Sequence, residues 1–477
     1  MEAEYTRGSI PVMMLKTAAA MLASTLAMSG YNIADTYFVG QLGSREPLAA
    51  MGFTFPVVML AGCLFGGFGG GCMALMAQAL GAGKEEEARQ TVSCGMLLIT
   101  LISGCIALLG LLFAAPLYTM LGATGETLLL VEGYMGIWFL GCVTAGISMP
   151  GNHLLIAAGR PVISSLMTIL GLAVNVLLDP IFIFGGEGIQ AFAQKLSLPL
   201  ASRCLQAWGG LFAFVPGMGI RGAALATILS QAVSAGLLLA LLSRLRLLSF
   251  RPIPLGSLLK SWRRIGSYAI PSILGMLLLP LTNAVTTRVT SSFGDAMVAA
   301  TAAGSRLESV TFVLPMAFGI PLMSIVAQNY GAHLYSRVKQ AFRFASLCAF
   351  SILGVSAVFL FLAIRPIAAT FTPVPEVQSM VVEYMTIIPW GFGMLELARY
   401  GGFALTGTGH PKLDAALKGG RLVFLLIPCS LLAGILHWRL GVFYARLVAD
   451  LLGGSICWGC AAWVVHRLPS TDGAPRA

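Results

Sequence analysis

Twelve long apolar segments, separated by short polar connections, dominate this chain of 477 residues. A helix needs about 20 mostly apolar residues to cross a bilayer. Segments of that length lie at about 11–40, 47–80, 90–114, 127–157, 162–184, 218–243, 264–293, 296–330, 340–363, 378–407, 412–436 and 439–465. Only 10% of the residues are charged, whereas soluble domains carry about 25%. The sequence therefore predicts an all-α polytopic membrane protein with twelve transmembrane helices.

The basic residues are divided unequally between the two sides of the predicted membrane. When the connections are assigned alternately, one side holds 19 of the 29 lysines and arginines and the other holds seven. This bias follows the positive-inside rule, so we expect both termini to be cytoplasmic. The net charge of +10 then indicates contact with anionic lipid headgroups, and no nucleic-acid partner is expected.

The second half of the chain repeats the first. Ala77-Gln78, Gly81-Ala82, Arg89-Gln90 and Gly159-Arg160-Pro161 are matched 250 residues later by Ala327-Gln328, Gly331-Ala332, Lys339-Gln340 and Gly409-His410-Pro411. Six spans return the chain to its starting side, so the halves are parallel repeats that enclose a central cavity. We expect an N-lobe (1–243), a cytoplasmic linker (244–263), a C-lobe (264–467) and a cytoplasmic tail (468–477).

The two repeats differ in their intramembrane carboxylates. Asp35 in the first span aligns with Thr286, and Asp179 in the fifth span aligns with Cys429. A charged residue at the centre of a span costs about 2.5–3.5 kcal/mol on insertion scales and is usually functional. The N-lobe is therefore the lobe in which we expect an ion site.

Four N-lobe residues are predicted to converge in the outer half of the membrane. Asn175 and Asp179 are four residues apart and share a helix face, while Thr227 reaches a similar depth on the sixth span. Two carboxylates in a pocket of low dielectric cannot both stay charged cheaply, so they take up H⁺ or share a cation such as Na⁺. Two simpler interpretations remain: Asp35 caps the end of its span, and Asp179-Pro180 forms a turn.

Two further pairs of charges lie within predicted spans of the C-lobe. Arg306 and Glu308 bracket Leu307, and Glu396 lies three residues before Arg399. Each pair contains both signs, so either it neutralises itself locally or it lines the C-lobe cavity. No metal site is expected beyond Na⁺ at Asp35, Asn175 and Asp179.

Six motifs in order resemble the multidrug and toxic compound extrusion (MATE) transporters, nearest their bacterial DinF-like branch. They are Tyr31-Asn32-Ile33-Ala34-Asp35-Thr36-Tyr37-Phe38-Val39-Gly40, Ala77-Gln78-Ala79-Leu80-Gly81-Ala82-Gly83, Asn175-Val176-Leu177-Leu178-Asp179-Pro180-Ile181-Phe182-Ile183-Phe184, Gly219-Ile220-Arg221-Gly222-Ala223-Ala224-Leu225-Ala226-Thr227, Arg306-Leu307-Glu308-Ser309 and Gln328-Asn329-Tyr330-Gly331-Ala332. The resemblance covers nearly the whole chain.

The resemblance implies a secondary active antiporter that exports cationic or amphipathic compounds in exchange for H⁺ or Na⁺. It implies an N-lobe coupling site at Asp35, Asn175, Asp179 and Thr227. It also implies a multi-pass protein of the bacterial cytoplasmic (inner) membrane. We expect a monomer in the lipid bilayer that is not an enzyme and has no cofactor.

Two features depart from the family pattern. Many relatives carry a proline in the first span fifteen residues before the aspartate, where this chain has Ala20, so a mechanism that bends this span at a proline is in doubt. The connection at about 185–217 is also long, and its stretch 189–214 is amphipathic enough to lie along the outer interface.

Two other functions agree less well with the sequence. A lipid-linked oligosaccharide flippase of the same superfamily would need several basic residues in its cavity, and only Arg288, Arg306 and Arg399 are candidates. An intramembrane aspartyl protease would carry Gly-x-Gly-Asp, which neither Asp35 nor Asp179 matches.

Overall fold

The regular secondary structure of the computed structural model is entirely helical within the residues it describes, which are 3–42, 46–195, 209–210, 212–249, 253–371, 374–469 and 472. The α-helices are α1 (Ile10–Gly40), α2 (Glu46–Gly81), α3 (Glu85–Met120), α4 (Gly125–Ala157), α5 (Pro161–Lys195), α6 (Ile220–Arg244), α7 (Leu255–Ser291), α8 (Asp295–Thr311), α9 (Val313–Gly331), α10 (Tyr335–Phe371), α11 (Pro375–Ile387), α12 (Pro389–Gly407), α13 (Pro411–Gly420), α14 (Ile427–Ile435), α15 (Arg439–Val448) and α16 (Gly454–His466). A 3₁₀ turn (Glu4–Thr6) precedes α1, and π-helical turns at Arg421–Leu426 and Ala449–Gly453 join α13 to α14 and α15 to α16.

These helices confirm the predicted class. Each of the twelve apolar segments is helical, and within the described residues 11 helical segments are long and apolar enough to cross a membrane. The exception is the tenth segment, which consists of α11 and α12 separated at Ile388 and which carries Glu396 and Arg399. The eighth segment is likewise made of two helices, α8 and α9.

The fifth span changes direction where the sequence predicts its end. Gly185 has φ +70°, a conformation that glycine adopts without steric cost. The returning chain is fastened there, because Met218 N–H donates to the Phe182 carbonyl at 2.9 Å and Gly219 N–H donates to the Ile183 carbonyl at 3.0 Å. Beyond the kink, α5 continues to Lys195. Residues 196–208 and 211 lie outside the described residues, so the interfacial position of 189–214 stays a prediction.

The first helix of each lobe packs on the other lobe. Ile10 and Met14 of α1 are buried in one cluster with Leu322 and Ile325 of α9. On the other side of the pseudo-twofold axis, α7 lies so close to α2 that a Cβ on Gly71 would overlap the backbone of Ala269. The first helix of each lobe therefore contacts the other lobe, α1 through α9 and α7 through α2. The lobe boundaries stay a prediction.

Two equivalent glutamines join the lobes at the ends of α2 and α9. The Gln78 side-chain amide donates to the Gly407 carbonyl at 2.9 Å, and the Gln328 amide donates to the Ala157 carbonyl at 2.7 Å. The donors and the acceptors are each 250 residues apart, so the two bonds are symmetry mates. They lie on the side of the membrane where the α2–α3 connection and its repeat equivalent, the α9–α10 connection, are found. We call this side, which bears Lys84, the basic side. The lobes are thus sealed together at the basic side.

Glycines allow the helix ends to meet there. A Cβ on Gly81 would overlap the backbone of Gln328, and a Cβ on Gly331 would overlap the backbone of Gln78. Backbones can approach this closely in membrane helices only where residues are small. The glycine crossing and the glutamine bonds therefore depend on each other.

We expect Gly81→Ala to lower the free energy of unfolding by about 1–3 kcal/mol, because the added methyl group forces α2 and α9 apart. Gly62→Ala in the same helix is the matched control, since nothing lies within 4 Å of its added Cβ. The measurement is unfolding of the purified protein in detergent. Equal stability of the two variants would contradict the crossing.

Candidate ion-coupling site

Helices α1, α5 and α6 bring the four predicted N-lobe residues together. Asn175 and Asp179 of α5 and Thr227 of α6 are buried, as is Asp35 of α1. The Asn175 amide lies 3.3 Å from Asp179 Oδ1 and 3.5 Å from Thr227 Oγ1. Asp35 lies on α1, which packs against α5. The structure therefore brings Asn175, Asp179 and Thr227 together, with Asp35 buried on the neighbouring helix.

Neither simpler interpretation of the two aspartates fits the structure. Asp35 lies inside α1, which continues to Gly40, so its side chain does not cap the end of that helix. Asp179 and Pro180 both lie inside α5, five residues or more before the kink at Gly185, so they form no turn. Both carboxylates are placed in the membrane without a local structural reason.

Several oxygens of this group lack a hydrogen-bond partner. Within the described part of the chain, Asp35 Oδ1, Asn175 Oδ1 and Asp179 Oδ2 are buried and unsatisfied. A buried polar atom without a partner costs about 1–3 kcal/mol, and a charged one costs more. Three oxygens in this condition suit a proton or a hard cation such as Na⁺, which would satisfy them.

Helix α1 passes through Ala20 without a break. The Ala20 carbonyl accepts a hydrogen bond from Ser165 Oγ of α5 at 2.6 Å. This bond ties the first span to the span that carries Asp179. At the position where the family pattern has a proline, α1 therefore has Ala20, whose carbonyl accepts a hydrogen bond from the hydroxyl of α5.

The C-lobe equivalent of Asp179 is shifted by a π-helical turn. Pro161 at the start of α5 matches Pro411 at the start of α13, an offset of 250. The turn at Arg421–Leu426 adds one residue to the helical path, so positions beyond it are offset by 251. On this register Ser430, which is buried, takes the place of Asp179, one residue beyond the Cys429 of the sequence alignment.

Glu308 does not pair with Arg306 as the sequence suggested. Its Oε2 accepts a hydrogen bond at 3.0 Å from Arg446 of α15, and its Oε1 accepts one at 3.0 Å from the Tyr384 hydroxyl. Two residues along α8 lie 200° apart around the helix axis, so Arg306 is exposed while Glu308 points inward. Local neutralisation of this pair was a wrong interpretation.

The second C-lobe pair does neutralise itself. Arg399 lies 2.9 Å from Glu396, whose side chain is fully buried. The guanidinium of Arg399 also stacks 5.3 Å from the ring centre of Phe312. The carboxylate of Glu396 is thus held by its own helix, as the three-residue spacing indicates.

Sequence reasoning missed the most heavily charged part of the C-lobe. Alternate assignment of the connections counts Arg421 among the 19 basic residues of one side and Arg446 among the seven of the other. Both side chains are mostly buried in the structure. Arg421 forms an ion pair with Asp450. Arg446 Nε lies 3.6 Å from the same carboxylate. The four-residue spacing of Arg446 and Asp450 was the available signal, and the basic bias between the two sides persists without these two arginines.

We expect Asp179→Asn to raise the free energy of unfolding at alkaline pH by about 1–3 kcal/mol, because it removes an unsatisfied buried charge. Asp450→Asn is the matched control at an equally buried aspartate. Its free energy of unfolding should fall by about 3–5 kcal/mol, because the mostly buried guanidinium of Arg421 loses its carboxylate partner. The stability that Asp179→Asn gains over wild type should decrease as the pH falls, because protonation of wild type then removes the same buried charge. Denaturant unfolding across pH checks this; destabilisation of both variants alike would contradict it.

Comparison with known proteins agrees with this architecture. The MatE family model matches residues 20–181 and again residues 271–432. The FAD transporter of Shewanella oneidensis is 29% identical over 455 residues, 94% of each chain. The multidrug export protein MepA of Staphylococcus haemolyticus is 24% identical over 477 residues, covering 97% of this chain and 95% of the relative.

Solved structures share the fold. The Vibrio cholerae MATE transporter VcmN in its bent form superposes with a TM-score of 0.83 at 25% identity, covering 96% of this chain and 97% of that one. A MOP superfamily transporter from Pyrococcus furiosus has a TM-score of 0.83 at 21% identity, covering 98% and 99%. With its repeated family match and its order of motifs, this chain belongs to the MATE family of membrane transporters.

Proposed function

We propose that this protein is a multidrug antiporter that exports cationic or amphipathic compounds in exchange for H⁺ or Na⁺ by alternating access. The observation that carries the proposal is the buried pair Asp35 and Asp179, whose unsatisfied oxygens need a proton or a cation. The MepA relatives, which are multidrug export proteins, favour drugs as the exported class.

The seal at the basic side supports a state in which the cavity opens to the opposite side. The basic side faces the cytoplasm in our assignment, so this is the outward-open state of a bacterial inner-membrane protein with cytoplasmic termini. Asp35 and Asp179 then receive ions from outside the cell. The transporter acts as a monomer, because each chain carries both lobes and the seal between them.

Ion binding is coupled to transport through the charge of the pair. Neutralising Asp35 and Asp179 removes their mutual repulsion, which changes the relative stability of the outward-open and inward-open states. The ion drives export only if its affinity, and that of the compound, differ between the two states. The coupling is reciprocal, so a bound compound also changes the affinity for the ion.

The FAD transporter relative favours a second candidate substrate, an anionic dinucleotide. Arg288 and Arg306 are exposed side chains within the spans, and they are the available partners for phosphate groups. A lipid-linked oligosaccharide flippase has less support, because Arg399, the third basic candidate, is paired with Glu396.

Wild-type protein in inverted membranes is tested for ethidium transport under an H⁺ gradient and, separately, under a Na⁺ gradient. We expect one of the two gradients to drive transport, and that gradient identifies the coupling ion. Asp179→Asn should abolish the gradient-driven part, because the variant has lost one of the two carboxylates that bind the ion. Asp295→Asn, at an exposed helix start, is the matched control and should transport normally.

FAD uptake is measured in parallel with ethidium in the same vesicles. Gradient-driven transport of FAD alone would move the substrate class to anionic dinucleotides. Undiminished ion-driven transport by Asp179→Asn would overturn the coupling site.

A further inference from the structure

The C-lobe contains a counterpart of the N-lobe ion site. Thr286 lies 251 residues after Asp35, and Ser430 lies 251 residues after Asp179. Both line one small cavity, and so does Arg446. The C-lobe cavity is thus lined by Thr286 and Ser430, the residues at the positions where the N-lobe has its two carboxylates.

Arg446 is itself the counterpart of Thr227. Thr227 is the eighth residue of α6 and Arg446 is the eighth residue of α15, the helices that begin the last span of each lobe. Gly222 and Ala226 match Gly441 and Ala445 at the same offset of 219, which is smaller than 250 because the long connection at about 185–217 has only a short equivalent in the C-lobe. Three of the four residues of the N-lobe site, Asp35, Asp179 and Thr227, therefore have equivalents around one cavity, and at the last of these positions the threonine is replaced by an arginine.

The two equivalent sites differ in charge balance. In the C-lobe, the Arg446 guanidinium donates to Glu308 at 3.0 Å and to the Tyr384 hydroxyl at 3.1 Å. Asp450 lies between Arg446 and Arg421, so two carboxylates face two guanidinium groups. Asp450 Oδ2 lacks a hydrogen bond, as do Asp35 Oδ1 and Asp179 Oδ2, but it lies 3.6 Å from a guanidinium nitrogen. Within the described part of the N-lobe, no such ion pair is found at Asp35 or Asp179.

The space around Arg446 is already filled. The cavity measures about 10 Å³, which is about the room that one water molecule needs. A drug does not fit there, and the carboxylates that would bind a small cation are already held by guanidinium groups. The arrangement is a closed ion site with its cation supplied by the protein.

We propose that the Arg446 guanidinium is a built-in cation that occupies, in the C-lobe, the position that the coupling ion occupies in the N-lobe. The C-lobe then stays neutral through the transport cycle, and the N-lobe alone sets how many ions are exchanged. This inference rests on the proposed antiport function for its meaning, although the charge state of the C-lobe can be measured without transport.

Removing the guanidinium should turn Glu308 into a proton site. In Arg446→Gln, Asp450 keeps Arg421 as its partner, whereas Glu308 keeps only the Tyr384 hydroxyl. A lone carboxylate in the membrane is costly in its charged form. Glu308 therefore takes up about one proton per protein when the pH is lowered.

The neighbouring titratable groups are otherwise self-contained. Glu383 of α11 pairs with Arg439 of α15 at 2.7 Å, Glu396 of α12 pairs with Arg399 at 2.9 Å, and Asp414 of α13 pairs with Lys418 at 2.7 Å. Each of these pairs survives the substitution. Within the described residues, the proton gained by Arg446→Gln is thus assigned to Glu308.

The test measures protons taken up by purified protein with an indicator dye, as the pH is lowered through the neutral range. Compared with wild type, Arg446→Gln should gain about one proton per protein. Arg446→Lys, which keeps a cation, should gain none. Arg439→Gln is the matched control for loss of a C-lobe arginine, and it should gain less because its partner Glu383 is partly exposed.

A second variant guards against misfolding. Glu308→Gln combined with Arg446→Gln removes both charges together, so the double variant should fold and should lose the extra proton. An Arg446→Gln protein that folds but takes up no more protons than wild type would overturn the proposal, as would a double variant that keeps the extra proton. Failure of the proposed function would appear separately, as undiminished ion-driven ethidium transport by Asp179→Asn, a variant that leaves the charges of the C-lobe unchanged.

Discussion

The reciprocal contact between the ends of α2 and α9 holds the two lobes in one arrangement. Gln78 and Gln328 each donate across the interface to a helix-end carbonyl, at Gly407 and Ala157. The Gln328 contact is buried and the Gln78 contact is part-buried, and a buried carbonyl needs a protein donor where water does not reach it. The same feature appears twice because the chain repeats itself, and it leaves the opposite side of the molecule as the side where the cavity can open.

The repeat places equivalent positions in both lobes, but it gives them different charges. Asp35 and Asp179 carry unsatisfied oxygens in the N-lobe, whereas Arg446 is bound to Glu308 in the C-lobe. In our proposal, the lobe with unbalanced carboxylates responds to ions and the lobe with paired charges does not. The asymmetry noticed in the sequence as missing carboxylates is, in the structure, a difference between an open charge site and a closed one.

Local sequence patterns predicted most of the fold and much of the site. Apolar length predicted the spans, since a bilayer demands about the same length of each helix. The spacing of Asn175 and Asp179 predicted a shared face, which the structure confirms. The same reasoning failed for Arg306 and Glu308, because nearness in sequence does not decide which way two side chains point or which distant partner one of them meets.

The sequence by itself determined the membrane class, the twelve helical segments, the internal repeat and the intramembrane aspartates of the N-lobe. These follow from hydropathy, length and residue identity, which are local properties. Only the tertiary structure decided that Ser430 replaces Asp179 and that Arg421 and Arg446 are buried. It also placed Glu308 beside Arg446, 138 residues later. A π-helical turn shifts the register by one residue, and ion pairs form between separate helices, so neither can be read from spacing along one chain segment.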